Sequence, residues 1–182
     1  MNPKISDFGM ARIFGGNQSQ GSTKRVVGTY GYMAPEYAMA GLFSVKSDVF
    51  SFGVLLLEIV SGKKNTDQHF PGDAQSLLTY AWRLWCEGKF LELIDPLITE
   101  ACPTEDVLRC VHIGLLCVQE NAANRPTMSS VVVMLKSDPM TLPQATQPGF
   151  FVGRAVIDSN QLSGGVKPCS TNGVTISNIE PR

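Results

Sequence analysis

Between residues 45 and 60 the chain carries Val49, Phe50, Phe52, Val54, Leu55, Leu56, Leu57, Ile59 and Val60, interrupted mainly by Ser51, Gly53 and Glu58. A helix that is apolar nearly all round must be surrounded by other elements, so this segment predicts a central helix on which a domain is assembled. Ser44 or Ser47 can cap its start, and Gly62 with Lys63 and Lys64 suits its end. Further apolar stripes follow at helical spacing. Residues 76–87 align Leu77, Leu78, Ala81, Leu84 and Trp85, and residues 105–119 align Leu108, Val111, Leu115 and Val118. Leu91, Leu93 and Ile94 lead into a break at Asp95 and Pro96, while Pro126 fits the first turn of a helix carrying Met128, Val131, Val132 and Leu135. Four helices and no long strand predict a mainly α domain.

The flanks read differently. Residues 1–43 are rich in Gly, Ser and Thr, which predicts a short strand at residues 4–6 followed by a long ordered loop. A loop of that length is usually functional or disordered. After Ser137 come Pro139, Pro143, Pro148, Gly149, Gly164, Gly165 and Pro168 among many Ser, Thr and Asn residues, so 138–182 is expected to be a mostly disordered tail behind a domain of 1–137.

Composition narrows the function classes. At 182 residues and 43% hydrophobic, the chain is neither wholly disordered nor a membrane protein. With 15 basic and 16 acidic residues it has no charge excess to draw nucleic acid or anionic lipid. Its five cysteines lack the paired spacing of zinc or redox sites and are read as reduced thiols, with Cys110 and Cys117 as small apolar residues on one helix face. His69 and His112 lack ligand-like neighbours and are read as surface and packing residues. No signal-peptide core and no bilayer-spanning apolar run is apparent, so a cytoplasmic location is expected.

The chemistry lies in the first loop. Asp7, Phe8 and Gly9 are followed by Ala34, Pro35 and Glu36 at the separation of an activation segment, with Ser19, Ser22, Thr23 and the run Gly28, Thr29, Tyr30, Gly31, Tyr32, Met33 between them. On these motifs residues 1–137 resemble the C-terminal part of a protein-kinase domain, an incomplete C-lobe. The resemblance implies that Asp7 is a magnesium ligand, that Phe8 packs to set active or inactive loop positions, and that Gly9 gives the backbone freedom beside it. It implies a Ser/Thr rather than Tyr substrate loop around Thr29, a buried ion pair between Glu36 and Arg125, and a role for Asp48 in bonding the backbone of the catalytic loop. Ser22 and Thr23 resemble activation-loop phosphorylation sites, and an equally open reading makes them plain polar loop residues beside Lys24 and Arg25.

Gly28 to Tyr37, Ser47 to Gly53 and Arg125 to Met128 are similar to plant receptor-like kinases. The tail residues Gln147 to Phe151 and Ile179 to Arg182 resemble the cysteine-rich type first and the S-domain type second. Asn124 departs from an Asp often found before the Arg-Pro pair. The sequence contains no G-x-G-x-x-G and no H-R-D loop. A whole kinase uses ATP and magnesium; this chain alone is expected to bind neither and to be inactive. In the family the central helix packs against a preceding helix, so part of residues 49–60 is expected to face water, making folding marginal or dependent on a partner. The leading reading is a Ser/Thr kinase fragment whose parent sits at the plasma membrane with a cytoplasmic kinase domain. The alternatives are a non-catalytic module that binds a kinase or a protein substrate, and a partial gene model.

Overall fold

The computed structural model describes residues 4–11, 18–67, 69–72, 74–136 and 142–149. Among them are two short strands, β1 (Gln20–Ser22) and β2 (Leu42–Ser44), and six α-helices: α1 (Pro35–Ala40), α2 (Val45–Ser61), α3 (Leu77–Cys86), α4 (Pro96–Ala101), α5 (Thr104–Cys117) and α6 (Met128–Lys136). The expectation of a mainly α partial C-lobe holds.

The nearly all-apolar segment is α2, at the centre. Both serines proposed for its start take part in one cap: Lys46 N–H donates to Ser44 Oγ at 3.1 Å, and Ser44 N–H donates to Ser47 Oγ at 3.1 Å. Gly62 ends it in the left-handed conformation at φ 65°. Helix α5 lies against α2 so closely that glycine is needed at the contact. A Cβ on Gly53 would stand 2.5 Å from Cys117 Cβ, and one on Gly114 would stand 2.8 Å from the Leu57 side chain. Phe50, Val54, Leu57, Leu77, Val111 and Leu115 fill the core with no exposed surface. Cys117 is buried within this contact, and burial pushes its thiol up to about 12. His112 packs against Trp85 with ring centroids 4.7 Å apart.

Several local expectations are corrected. Residues 4–6 are exposed and form no strand, since a strand needs a neighbour to bond to and none pairs with them among the described residues. The pairing is instead β1 with β2, antiparallel, with Gly21 opposite Phe43. The long loop is also interrupted by α1, which opens on Pro35 at a position where a missing N–H costs nothing. Asp95 and Pro96 start a helix rather than break one: Leu97 N–H donates to Asp95 Oδ1 at 2.9 Å. Pro126 precedes α6 by two residues, and Thr127 caps it by accepting from Ser130 N–H at 3.1 Å. Along α6 Val131 is fully buried, whereas Val132 is 44% and Leu135 38% exposed.

One face of α2 is left open. Asp48, Phe52, Leu55 and Ile59 share it by helical spacing, with Leu55 48% and Ile59 67% exposed. No described helix is long and apolar enough to cross a membrane.

Candidate functional site

The loop from Val27 to Tyr37 is fastened to the helical body at several points. The Tyr32 hydroxyl donates to Glu58 Oε1 at 2.8 Å, and the Tyr32 carbonyl accepts from Ser51 Oγ at 2.7 Å. Asn65 joins the same cluster: its Nδ2 donates to the Gly31 carbonyl at 2.7 Å and its backbone N–H to Glu58 Oε1 at 2.6 Å. Burial, aided by the Glu58 carboxylate, pushes the Tyr32 phenol up to about 12, so it stays a donor at physiological pH. Further along, the Tyr37 hydroxyl accepts from Val27 N–H at 3.0 Å and donates to the Val27 carbonyl at 2.8 Å. Between these fastenings Thr29 and Tyr30 remain exposed.

Glu36, in the first turn of α1, meets Arg125, which lies between α5 and α6. Arg125 Nη1 donates to Glu36 Oε1 at 2.8 Å and Nη2 to Oε2 at 2.9 Å, a two-pronged pair. The remaining guanidinium hydrogens go to the carbonyls of Gln119 at 2.8 Å, Lys46 at 3.1 Å and Glu120 at 3.1 Å. The group stacks over Phe50, 4.9 Å from the ring centroid, and Arg125 is only 1% exposed. Lys46 Nζ donates to the Arg125 carbonyl. Burial pushes the Glu36 carboxyl up, but the hydrogen bonds and charge of Arg125, a backbone hydrogen bond and Ser47 together outweigh it, and the net shift is downward.

The other residues singled out in sequence are not gathered here. Asp7 is exposed, in the left-handed region at φ 60°, with its Oδ1 accepting weakly from Gly9 N–H at 3.4 Å. Phe8 is 68% exposed. No group of three His, Cys, Asp or Glu side chains able to hold a metal occurs among the described residues. Ser22 ends β1 with its residue exposed, and Thr23 closes a turn in which its hydroxyl accepts from Arg25 N–H and donates to the Arg25 carbonyl, both at 3.1 Å. Asp48 stands in the first turn of α2 without a hydrogen-bond donor among the described residues. The residue is exposed overall, yet partial burial of its carboxyl raises its pKa.

Sequence reasoning did not assign Glu58, Asn65 or Gln119 to the site. Glu58 carried a signal, as the one acid between Val49 and Val60. Asn65 and Gln119 carried none, because their bonds reach residues far away in sequence.

Comparison with known proteins accounts for this arrangement. A family model described as protein tyrosine and serine/threonine kinase matches residues 1–135, and a second, described as a domain of unknown function, matches 137–182. Cysteine-rich receptor-like protein kinase 6 of Arabidopsis thaliana is 57% identical over the whole chain, and receptor-like serine/threonine-protein kinase SD1-7 of the same plant is 53% identical over the whole chain. The chain spans 28% of the first of these relatives and 22% of the second. The chain belongs to the protein tyrosine and serine/threonine kinase family, and its relatives within that family are receptor-like serine/threonine kinases of the cysteine-rich and S-domain kinds.

Proposed function

We propose that this chain is the substrate-loop and anchoring part of a receptor-like Ser/Thr protein kinase, and that it does not transfer phosphate by itself. The observation that carries the reading is the loop from Val27 to Tyr37, clamped through Tyr32, Tyr37 and Glu36 while Thr29 and Tyr30 face outward. A loop held at both ends and exposed in the middle is suited to position a protein hydroxyl, and positioning is most of what phosphoryl transfer asks of a protein. In the whole kinase Asp7 would hold magnesium at the ATP phosphates, which neutralises charge developing there. Phe8 and Gly9 would set its placement, and Ser22 and Thr23 would take regulatory phosphate on the exposed hairpin. Domain limits of 1–137 and 138–182, a membrane-anchored parent with a cytoplasmic kinase domain, and protein partners rather than nucleic acid complete this reading.

The open face of α2 supports the inactivity of the chain alone. A stripe of Phe52, Leu55 and Ile59 running up to Asp48, which has no donor among the described residues, is a surface suited to a further kinase segment, on the same polypeptide or another. The same face favours a second reading, a non-catalytic module that binds a kinase. Radiolabelled phosphate transfer by the purified chain, lost on Asp7→Asn, would refute inactivity. Saturable binding to a relative's kinase domain, unaffected by nucleotide and lost on Ile59→Glu, would favour the module.

A further inference from the structure

Residues 142–149 lie against the end of α5, a placement that their Pro-rich, polar composition did not announce. Ala145 is 4% exposed and buried in the core. The Glu120 N–H donates to the Gln147 carbonyl at 3.1 Å, Gly149 N–H donates to the Val118 carbonyl at 3.0 Å, and Pro148 forms an isolated bridge with Gln119. At the near end His112 Nε2 contacts the Pro143 carbonyl at 2.8 Å.

The Gln119 side chain, 2% exposed, holds the middle of the segment. Its Oε1 accepts from both Thr146 N–H at 3.0 Å and Thr146 Oγ1 at 2.6 Å. Its two amide hydrogens are committed elsewhere, to the carbonyls of Leu116 and Asn124, each at 2.9 Å. The amide therefore cannot turn over to offer Thr146 a donor. Thr146 itself is exposed.

We propose that residues 142–149 form a releasable clasp and that Thr146 is its release point, a phosphorylation site for an ATP-dependent protein Ser/Thr kinase. In that step Thr146 Oγ1 bonds to the γ-phosphorus of ATP, the bond from that phosphorus to the β,γ-bridging oxygen breaks, ADP departs, and the hydroxyl proton passes to base. The O–H donated to Gln119 is lost, and dianionic phosphate oxygens are set against a fixed acceptor oxygen, so the segment lifts.

Release reaches the Glu36 anchor through shared backbone. The Gln119 and Glu120 carbonyls that accept from Arg125 belong to the same three-residue stretch that pairs with the clasp. Gly149 also abuts Pro35, the residue before Glu36, so closely that a side chain there would collide with the Pro35 ring. What release does to substrate handling rests on the function proposed above; the clasp and its opening do not.

The test is amide hydrogen exchange on three versions of the full chain: unmodified, carrying phosphothreonine at position 146, and Gly149→Val, which drives the clasp off Pro35 without touching Thr146. The Glu120 and Gly149 amides are expected to be protected in the unmodified chain and to exchange at least tenfold faster in both altered chains. The Ala38 amide in α1 is expected to speed up with them, while Val111 in α5 stays protected. Free exchange at Glu120 and Gly149 in the unmodified chain would overturn the proposal. So would retained protection after phosphorylation, or an Ala38 amide indifferent to release. Loss of Val111 protection in the altered chains would also overturn it, since a segment whose departure unfolds the core is not a clasp.

Discussion

Replacing Arg125 with leucine removes a side chain that uses all of its hydrogen-bonding capacity in the interior. Its five hydrogen bonds run to both oxygens of Glu36 and to the carbonyls of Gln119, Lys46 and Glu120, at 2.8 to 3.1 Å. Leucine leaves three carbonyls without this donor and leaves the Glu36 carboxylate with the Ser47 hydroxyl, 3.0 Å away. Breaking a buried pair from one side costs about 3–5 kcal/mol. The Glu36 side chain is 23% exposed, so water recovers part of that loss and the lower half of the range is expected. With a urea slope of ~1–3 kcal/mol per molar, the denaturation midpoint should fall by roughly 2 M. Glu36→Gln keeps one acceptor and the shape of the side chain, and should cost about 1.5–3 kcal/mol. The double variant Glu36→Leu with Arg125→Leu should be less damaging than the sum of the two single leucine variants, because it strands no charge. An unfolding free energy for Arg125→Leu within about 1 kcal/mol of the parent's would refute the reasoning.

Acid should destabilise the chain in two steps with different owners. Burial lowers the His112 pKa despite the Pro143 carbonyl, so its contribution is present above about 6.5 and is lost as pH falls through the folded value; His112→Phe should flatten that step in a urea-midpoint series. Glu36, also lowered on folding, contributes above about 4.5 and loses its contribution below it, a step that Glu36→Gln should remove. Asp48 has the opposite sign: its raised pKa makes the ionised form a liability at neutral pH, so Asp48→Asn should raise the midpoint slightly. Gly114→Ala should lower stability by ~1–3 kcal/mol by forcing α2 and α5 apart, against the gain of about 1 kcal/mol that alanine brings to an unencumbered helix. Ile59→Glu, on the open face of α2, should change stability by less than about 0.5 kcal/mol while reducing binding of a hydrophobic dye; a large loss would mean that the face is covered.

The central helix was legible because sixteen consecutive positions from 45 to 60 leave almost no polar face, and Ser44, Ser47 and Gly62 then marked its ends. The β1–β2 pair was not, because its three residue pairs join residues 20 to 24 positions apart and the glycine opposite Phe43 reads as loop. Glu36 and Arg125 lie 89 residues apart, so no local pattern links them; family resemblance alone brought them into view. Asn65 and Gln119 act through side-chain bonds to backbone carbonyls and to a later segment, contacts that leave no periodicity behind. Residues 142–149 hold on by backbone pairing, by the bonds of Thr146 to the Gln119 side chain and by the packing of Leu142, Ala145 and Pro148, which composition cannot distinguish from an unattached tail.

As a proposed working part of a Ser/Thr kinase, this chain needs the remaining segments to act. The most direct measurement is phosphoryl transfer by a chimera in which the chain replaces its matching segment in Cysteine-rich receptor-like protein kinase 6, to which it is 57% identical. The chimera is expected to phosphorylate protein Ser or Thr, and to lose that activity on Asp7→Asn, while the isolated chain transfers nothing. A chimera that folds and binds ATP yet phosphorylates no protein, or an isolated chain active through Asp7, would contradict it.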